Sequence, residues 1–500
     1  MKLLKCASFD GIEARSIDVE VSLHKGLPSF SIVGLASNDI QESKERIKSA
    51  LIHSHFKFAP MKITINLSPS SLKKEGSHFD ASIALLIALH DKTSYFKEWY
   101  VFGELGLDGR LKETPTIFAL LLSLTKQHGN IKALIPHSAV EKCQIIPNIE
   151  LVGCSSLHDA IEFFSKEPTG LVEKRSVALP TIDIEGKSYY THSQYPLDFK
   201  DVRGQERTKR AALIAAAGEH NILLDGSPGS GKTMIARRMQ YILAPLSHNE
   251  LLEIAQIRSF DNEEVEFSAL RPFRAVHHSA SKPSVLGGGT SGAKIGEIAL
   301  SNRGILFFDE LPHFPKNVLE SLREPLEDGQ ILISRVNSKI TYKTDFIFVS
   351  AMNPCSCGNL YSTKNSCRCS DLEINRYRNR LSEPLYDRID IYVQMQESSL
   401  SDKPSITSKE LHEKVIDAMK IRKKRLQKSA NGKLDEEQIE QFCKLAHEAD
   451  QMLQTASERF ALSARSIAKI KKIARTIADL DNSFTIEKRH ISEALGYRKR

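Results

Sequence analysis

The stretch NILLDGSPGSGKTMIARRM, residues 221–239, decides the fold. An apolar run over 222–224 leads into a glycine-rich turn that ends in Lys232 and Thr233, and a helical pattern follows. Between a strand and a helix, G-x4-G-K-T predicts a P-loop, whose backbone N–H groups wrap phosphates at a helix N-terminus. We expect Lys232 to reach the β- and γ-phosphates and Thr233 to ligate Mg²⁺. The predicted nucleotide-binding residues are Gly226, Ser227, Pro228, Gly229, Ser230, Gly231, Lys232 and Thr233.

Two further strand patterns end in polar residues that suit the same nucleotide. GILFFDE (304–310) is an apolar run that ends in Asp309 and Glu310. At the carboxyl edge of a strand, Asp309 is expected to hold Mg²⁺ and Glu310 to polarise the attacking water. FIFVSAMN (346–353) ends in Asn353, which is expected to position that water or to sense the γ-phosphate. The three patterns predict an ATPase that uses ATP and Mg²⁺.

Two arginines are candidates for contacting the nucleotide from outside the P-loop. Arg388 lies in LYDRID (385–390), and an arginine that reaches a neighbouring subunit's γ-phosphate raises the rate by about 10³ to 10⁵. A local ion pair with Asp387 or Asp390 is the alternative. Arg465, in LSARSIAKI (462–470), suits a lid residue that touches the nucleotide.

Four of the eight cysteines lie in NPCSCGNLYSTKNSCRCS (353–370), namely Cys355, Cys357, Cys367 and Cys369. They define a four-cysteine insertion, 355–369, in the predicted ATPase core. Each C-x-C pair places its thiolates on one side of an extended segment, and a turn between the pairs can bring all four together. Four thiolates leave no open position, so the pattern favours a structural Zn²⁺. Iron–sulfur ligation and unliganded thiols are the alternatives.

Length and patterning predict a multidomain α/β protein. With 500 residues the chain exceeds one compact core. Mixed strand and helix patterns predict an α+β domain over 1–167, and turn residues predict a linker over 168–200. Strands alternate with helices over 201–400, and 401–500 has a helical pattern. The longest apolar stretch, ASIALLIAL (81–89), is about half of what spans a bilayer, so we expect a cytoplasmic protein without a membrane partner.

The positive charge is concentrated in the last hundred residues, which predicts contact with nucleic acid. Residues 401–500 hold 22 Lys and Arg against 15 Asp and Glu, and so carry the whole net charge of +7. The densest cluster, Arg422, Lys423, Lys424 and Arg425, is a candidate for neutralising DNA phosphates. A solvated helix face is the alternative.

Two glycine-bearing segments are further candidates for DNA contacts, on the assumption that they face the central channel of a ring. One is 277–297, with Lys282 and Lys294. The other is 331–342, whose alternating pattern indicates a hairpin with Arg335 and Lys339 near its tip. The alternative for 331–342 is a plain sheet-edge hairpin. His277 and His278 have no spaced partners and are expected to be structural.

Longer stretches resemble one family along nearly the whole chain. They include DVRGQERTKRAALIAAAGEHNILLDGSPGSGKT (201–233), VHHSASKPSVLGGG (276–289), GEIALSNRGILFFDELPHF (296–314) and AMNPCSCG (351–358). The match continues into the N-terminal region through GLASNDIQESKERIKSAL (34–51) and GELGLDGRLKE (103–113). The chain is thereby identified as a member of the YifB/ComM family of magnesium-chelatase-like AAA+ ATPases.

This resemblance implies a fold and a function. The implied fold is an N-terminal Lon-protease-like (S5-type) domain, an AAA+ P-loop ATPase core with a parallel sheet over 201–400, and a C-terminal helical lid over 401–500. The implied function is that of a hexameric ring, a helicase that drives branch migration of DNA during the recombination of incoming strands. The partners are then single-stranded or branched DNA and further copies of the chain.

Two other classes of function compete with a DNA motor. A magnesium-chelatase-like ATPase would share the core and remodel a protein partner or assist metal insertion into a porphyrin. An ATP-dependent Lon-like protease would need a serine paired with a lysine. Around Ser77, bulky residues stand where the Lon-type motif has small ones, so we expect the N-terminal domain to lack the catalytic dyad.

Overall fold

The computed structural model describes residues 3–56, 61–91, 98–166, 177–261, 265–288, 294–334, 339–363, 365–397 and 405–499. The chain divides into two compact units. The first comprises Met1–Ala178 with Ala255–Phe267 and Ser334–Thr341, and the second comprises Leu179–Ile254, Ser268–Ile333 and Tyr342–Arg500. Fold class α/β with more than one unit therefore agrees with the sequence patterns.

Nine strands and five helices lie in the described residues of 1–178. The strands are β1 (Leu3–Asp10), β2 (Glu13–Lys25), β3 (Ser29–Val33), β4 (Met61–Ser68), β5 (Trp99–Val101), β6 (Glu104–Leu105), β7 (Leu111–Lys112), β8 (Ile131–Pro136) and β9 (Ile149–Cys154). Seven of them form a mixed sheet in the order β3-β4-β2-β1-β5-β8-β9, and β6 pairs with β7. The helices are α1 (Asn38–His53), α2 (Asp80–Ala88), α3 (Thr116–His128), α4 (His137–Cys143) and α5 (Leu157–Ser165).

The longest apolar stretch of the sequence is a core helix. It coincides with α2, and all nine residues of α2 are buried. A helix of nine residues is about 14 Å long, which is half the thickness of a bilayer's hydrocarbon core. Among the described residues, no helix combines the length and the apolar character needed to span a membrane.

The second unit contains the remaining elements. Its strands are β10 (Thr181–Ile184), β11 (Lys187–Tyr190), β12 (Ile222–Asp225), β13 (Phe273–Val276), β14 (Gly287–Gly288), β15 (Lys294–Ile295), β16 (Ile305–Phe308), β17 (Gln330–Ser334), β18 (Lys339–Lys343), β19 (Ile347–Met352) and β20 (Ile391–Gln394). Its helices are α6 (Glu206–Gly218), α7 (Lys232–Met239), α8 (His248–Phe260), α9 (Lys282–Leu286), α10 (Glu297–Leu300), α11 (Lys316–Ser321), α12 (Arg323–Asp328), α13 (Asp371–Arg378), α14 (Glu383–Tyr386), α15 (Ser408–Lys424), α16 (Glu436–Phe442), α17 (His447–Phe460), α18 (Ala464–Leu480) and α19 (Lys488–Leu495). The C-terminal part of α8 and the adjoining ends of β17 and β18 are assigned to the first unit.

A parallel five-stranded sheet, in the order β13-β16-β19-β12-β20, organises the second unit. Its strands are short apolar runs, and β12, β16 and β19 are buried along their whole length. Because all strands are parallel, their carboxyl ends meet at one edge, where ligands bind in open α/β sheets. The predicted parallel core sheet is confirmed, and it brings the residues after β12, β16 and β19 to the same edge.

The helical pattern of the last hundred residues is confirmed by α15 to α19. The start of α15 follows from a capping box, because Thr407 and Glu410 satisfy each other's free backbone N–H groups. Val415 and Ile477 from these helices share a hydrophobic cluster with Ile222 and Val349 of the sheet. The helical region and the sheet therefore share one core.

The segment predicted as a linker is partly structured. Residues 167–176 lie outside the described residues, but β10 and β11 form a hairpin within 181–190. Glu185 and Gly186 turn it with φ values of 52° and 72°, as a two-residue hairpin turn requires. Tyr190 then exchanges two backbone hydrogen bonds with Leu246, at 2.7 and 2.9 Å. A four-residue strand is too short to show a clear period in sequence, which is why the prediction missed the hairpin.

Candidate nucleotide-binding site

The P-loop connects the end of β12 to the first residue of α7, Lys232. Gly229 and Gly231 have φ values of 79° and 92°, and a Cβ built on either would meet nothing within 4 Å. These glycines are therefore required by the backbone conformation rather than by a crowded neighbour. The Lys232 ammonium donates to the carbonyls of Gly226 at 2.5 Å and Ser227 at 3.0 Å. Burial lowers the pKa of Lys232.

The two acids after β16 lie beside the start of α7. Thr233 Oγ1 donates to Asp309 Oδ2 at 2.8 Å, and Asp309 Oδ1 accepts from the backbone N–H of Glu310 at 2.9 Å. Glu310 has a φ of 53° and a half-exposed carboxylate. A hydroxyl and a carboxylate at this separation are the oxygen ligands that Mg²⁺ uses in P-loop ATPases. The residues present therefore fit a Mg²⁺ ion.

Asn353 follows β19, the strand next to β12 in the sheet. Its side-chain oxygen accepts a hydrogen bond from Lys232 at 3.1 Å. Asn353 thus lies at the P-loop, where a polar side chain can contact the terminal phosphate or its attacking water.

His278 is a site residue that the sequence analysis missed. Its Nδ1 lies 3.4 Å from a carboxylate oxygen of Glu310, and its ring packs at 4.1 Å on the ring of His277. Both histidines follow β13, which is parallel to β16 and next to it. The available signal was therefore their position after a core strand, which places them at the same sheet edge as the two acids.

Arg388 and Arg465 both form ion pairs with Glu327 rather than with an acidic residue next to them in the sequence. Both guanidinium groups donate to the carboxylate of Glu327, which lies in α12. Arg388 also donates to the carbonyl of Pro384 at 2.8 Å, and its side chain is 9% exposed. The hydrogen bond from Arg388 lowers the pKa of Glu327. The alternative of an ion pair with Asp387 or Asp390 is therefore replaced by a longer-range pair with Glu327.

The four cysteines of the insertion form one cluster. Their Sγ atoms all lie within 4.8 Å of one another, and the three shortest separations among Cys355, Cys357 and Cys367 are 3.4, 3.6 and 3.7 Å. A disulfide would need about 2.05 Å. Thiolates at about 2.3 Å from a tetrahedral Zn²⁺ lie about 3.8 Å apart, so the cluster fits a four-thiolate site. Cys369 completes the set.

Backbone donors favour the thiolate at Cys357, whereas burial raises the pKa of the Cys355 thiol to about 12. N–H groups of Arg368 and Asn359 donate to Cys357 and lower the pKa of its thiol to about 6. Hydrogen bonds of this kind orient the ligands of structural metal sites and reduce the repulsion among their charges.

The basic residues proposed for DNA contacts differ in their accessibility. Lys282 and Lys424 are exposed, and Lys423 is half-buried. Lys294 and Lys339 lie in β15 and β18, but their side chains, like the whole of Arg335, lie outside the described part of the chain.

For Arg422 and Arg425 the prediction of phosphate contacts is corrected. Arg422 is 7% exposed, because it lies on the face of α15 that packs into the core. Arg425 donates to both carboxylate oxygens of Asp479, at 2.6 and 2.8 Å. The charge run covers both faces of a helix, so its members have different surroundings.

In the first unit, the serine and the lysines near it have other partners. The Ser77 hydroxyl donates to the carboxylate of Glu104. Lys74 is fully buried and donates to the carbonyls of Gly34 and Pro69. Lys73 pairs with Glu75. These contacts give Ser77 a carboxylate rather than a lysine amine as its neighbour.

Comparisons with known proteins agree along the whole chain. The family described as "Magnesium chelatase, subunit ChlI" matches residues 198–403, "Subunit ChlI of Mg-chelatase" matches 19–139, and "Magnesium chelatase, subunit ChlI C-terminal" matches 405–498. The competence protein ComM of Haemophilus influenzae is 37% identical over 498 residues, which cover 98% of this chain and 95% of that protein. The uncharacterized protein YifB of Escherichia coli is 37% identical over 504 residues, with the same coverage.

Similarity to a magnesium-chelatase subunit is weaker and partial. The 38 kDa subunit of Cereibacter sphaeroides is 24% identical over 177 residues, which cover 32% of this chain and 53% of that protein. The AAA+ core of magnesium-chelatase type implies ATPase activity, and with it ATP and Mg²⁺. Since similarity at 37% identity spans nearly the full length, the chain belongs to the YifB/ComM family of magnesium-chelatase-like AAA+ ATPases.

Proposed function

We propose that the protein is a cytoplasmic, hexameric DNA motor that couples ATP hydrolysis to branch migration during the recombination or integration of incoming DNA. The observation that carries this proposal is the full-length similarity to a competence protein, combined with the complete set of ATPase side chains at one sheet edge.

Hydrolysis rests on five side chains at that edge. Lys232 neutralises charge on the β- and γ-phosphates, and Thr233 and Asp309 hold Mg²⁺, which withdraws charge from the phosphate oxygens when it is bound. Glu310 orients and polarises the attacking water from its half-exposed position. Asn353, which accepts from Lys232 at 3.1 Å, senses the terminal phosphate.

Arg388 and Arg465 act on the nucleotide of a neighbouring subunit. Support comes from their pairing on Glu327, which holds two cationic groups together on a carboxylate that is 45% exposed. In an assembled ring, a phosphate group can replace that carboxylate as their partner. Mixing Arg388→Ala with Lys232→Ala subunits tests this role, because some interfaces in the mixture would combine an intact P-loop with an intact Arg388. We expect partial recovery of ATP turnover, and no recovery in assembled mixtures would contradict a role in trans.

DNA is contacted by basic side chains. The exposed Lys282 and Lys424 and the half-buried Lys423 are proposed as phosphate contacts. Lys294, Arg335 and Lys339, whose side chains lie outside the described residues, belong to the same proposal. Arg422 and Arg425 are excluded from this set by their burial and pairing. Contacts of this kind are independent of sequence, as a branch-migrating motor requires.

The four-cysteine cluster holds a structural Zn²⁺. Its support is the near-tetrahedral spacing of the Sγ atoms and the backbone N–H groups directed at Cys357. We expect one zinc per chain, and elemental analysis of protein purified without oxygen measures it. Absence of zinc would leave reduced thiols or an iron–sulfur cluster, which an absorbance spectrum distinguishes.

The N-terminal unit is proposed to be a Lon-protease-like (S5-type) domain, over 1–167, without proteolytic activity. The pairing of Ser77 with Glu104 and of Lys74 with backbone carbonyls supports this. A serine nucleophile needs a base that accepts its proton, and the fully buried Lys74 has its ammonium engaged elsewhere.

The test of the proposed function is the ATP turnover of the purified protein with and without DNA. We expect single-stranded or branched DNA to raise the rate severalfold, and branched substrates to be resolved only when ATP is hydrolysed. A protein whose turnover ignores DNA but responds to a protein partner would instead act as a magnesium-chelatase-like remodelling ATPase. Either result decides between a DNA motor and a remodelling ATPase.

A further inference from the structure

Gly358 lies directly against Pro228 of the P-loop. A Cβ built on Gly358 would come within 2.7 Å of Pro228 Cδ and 2.8 Å of its Cγ, closer than carbon atoms approach one another. Gly358 follows Cys357, and its N–H donates to the carbonyl of Cys355 at 3.1 Å. One turn therefore carries two of the proposed metal ligands and also contacts the P-loop, through a residue that has no side chain.

Tyr361 makes a second connection, to the residue that precedes the P-loop. Its hydroxyl donates to Asp225 Oδ2 at 3.4 Å and accepts from Arg378 Nη2 at 2.7 Å. Arg378 also donates to the carbonyl of Pro354 at 3.3 Å, so it ties Tyr361 to the chain just before Cys355. Asp225 is 1% exposed, which makes this a contact with a buried part of the strand rather than with a surface side chain.

We propose that the four-cysteine insertion, when closed by the Zn²⁺ ion of the proposed function, braces the P-loop in its nucleotide-binding conformation. Loss of the metal then weakens nucleotide binding itself. The metal would link Cys355 and Cys357, which lie in the turn that ends at Gly358, to Cys367 and Cys369 at the other end of the insertion. The position of Gly358 against Pro228 thus depends on a closed cluster.

The P-loop carbonyls on either side of Pro228 and Gly229 have side-chain donors, because Lys232 binds those of Gly226 and Ser227 and Gln205 donates to that of Ser230 at 3.4 Å. Among the described residues, a Cβ built on Gly229 or on Gly231 would meet no atom within 4 Å, so the contact of Gly358 with Pro228 supports the part of the loop between these bonds. Nucleotide binding requires the loop's backbone N–H groups to point at the phosphates together. The apparent dissociation constant equals the intrinsic one divided by the fraction of molecules in which the loop is in place. If the opened insertion leaves about one molecule in ten competent, affinity falls about tenfold.

The experiment compares three measurements on the full-length protein: zinc content, the dissociation constant of a fluorescent ATP analogue with excess Mg²⁺, and the melting temperature. Zinc is stripped with a chelator, which is then removed, and is restored by adding ZnCl₂. We expect the stripped protein to bind the analogue about tenfold or more weakly and the restored protein to bind as before. Cys367→Ser with Cys369→Ser should reproduce the stripped state irreversibly.

Variants that keep all four cysteines test the contacts between the insertion and the P-loop separately from metal binding. Gly358→Ala should keep its zinc and weaken the analogue's binding, because its methyl group displaces Pro228. Gly186→Ala is the matched control, since Gly186 has a similar φ of 72° and a Cβ there meets nothing within 4 Å. It carries the same backbone strain and should bind the analogue as the wild type does. Tyr361→Phe, a milder change, should weaken binding by about threefold without loss of zinc.

The outcomes distinguish this proposal from the ones on which it rests. Zinc-containing protein whose affinity for the analogue is unchanged by stripping, by Gly358→Ala and by Tyr361→Phe overturns the brace and leaves the zinc site standing. Protein without zinc overturns the metal, and the two thiol-retaining variants then decide whether the insertion still supports the P-loop. Neither result depends on whether DNA stimulates turnover.

Discussion

Arg388 and Arg465, 77 positions apart in sequence, donate to the same carboxylate, that of Glu327. The three residues come from a segment before β20, from the helical C-terminal region and from α12. Arg388 is nearly buried, and its Nε has no hydrogen-bond partner, so its position depends on the contacts of its two terminal nitrogens. Glu327 therefore joins the two cationic groups, while the carbonyl of Pro384 holds the other terminal nitrogen of Arg388.

This arrangement predicts that the effects of Glu327 and Arg388 on turnover are not additive. Glu327→Gln removes the charge that holds the pair, so ATP turnover in the assembled protein should fall, with no loss of nucleotide affinity. In a double-mutant cycle, Glu327→Gln should add little to Arg388→Ala. Glu320→Gln is a matched control, because Glu320 pairs with Arg323 at 3.1 Å in the preceding turn. Additive effects would show that the two residues act independently.

The roles of Lys232 and Glu310 can be separated by substitution. Lys232→Ala removes the charge that neutralises the phosphates and should abolish binding of the ATP analogue. Glu310→Gln should retain binding but lower turnover by about 10²-fold or more, because water activation is lost. Filter binding and single-turnover hydrolysis measure the two effects. Equal affinity of the wild type and Lys232→Ala would contradict the phosphate-binding role.

Whether the sequence predicts a contact of this site depends on how far apart in the chain the two contacting residues are. Lys232 and Thr233 belong to one continuous motif, and Asp309 and Asn353 end core strands, so local patterns find them. Glu327 and the Gly358–Pro228 contact could not be found, because each joins segments that meet only in the folded chain. The cysteine cluster lies between these cases, since spacing gives the ligand set but not the surface on which it packs.

His278 is predicted to orient Glu310. Because its Nδ1 lies 3.4 Å from the carboxylate, His278→Ala should leave Glu310 less well placed and lower kcat about tenfold, with KM nearly unchanged. His278→Gln, which keeps an N–H donor, should recover part of the rate. His277→Ala serves as the control, because the ring of His277 bonds to Ser279 instead. An equal loss in both alanine variants would indicate a general disturbance of the loop.

Acid should destabilise the second unit through His412. Its Nδ1 lies 2.9 Å from the Tyr195 hydroxyl, and its ring stacks at 4.6 Å on that of His192. Burial lowers the pKa of His412 to about 4, below its value of about 6.5 in the unfolded chain. The unfolded state therefore takes up a proton first, and stability falls as the pH drops from about 6.5 towards 4.

The magnitude follows from that shift. Between pH 7.5 and pH 5, His412 should cost about 2 kcal/mol of unfolding free energy. Urea unfolding at the two pH values measures it, and His412→Gln, which cannot be protonated, should show a correspondingly smaller difference. A pH dependence that is identical in wild type and variant would assign the effect to other groups.

Lys424, the last residue of α15, and Arg425, which follows it, should have different roles. We expect Arg425 to stabilise the fold and Lys424 to bind DNA. Arg425 binds Asp479 through two nitrogens, and the fully buried Arg475 donates to the same carboxylate at 2.9 Å. Arg425→Gln removes two hydrogen bonds to the Asp479 carboxylate but leaves its pair with Arg475, so it should lower the unfolding free energy by about 2 kcal/mol.

Lys424 is exposed, and Lys424→Gln should leave stability unchanged while it weakens DNA binding. Loss of one phosphate contact should reduce the slope of log affinity against log salt by about 0.7 to 0.9. An unchanged slope in Lys424→Gln would show that Lys424 is a solvated residue of the helix without a DNA contact. An unchanged stability in Arg425→Gln would show that the remaining partners of Asp479 compensate for its loss.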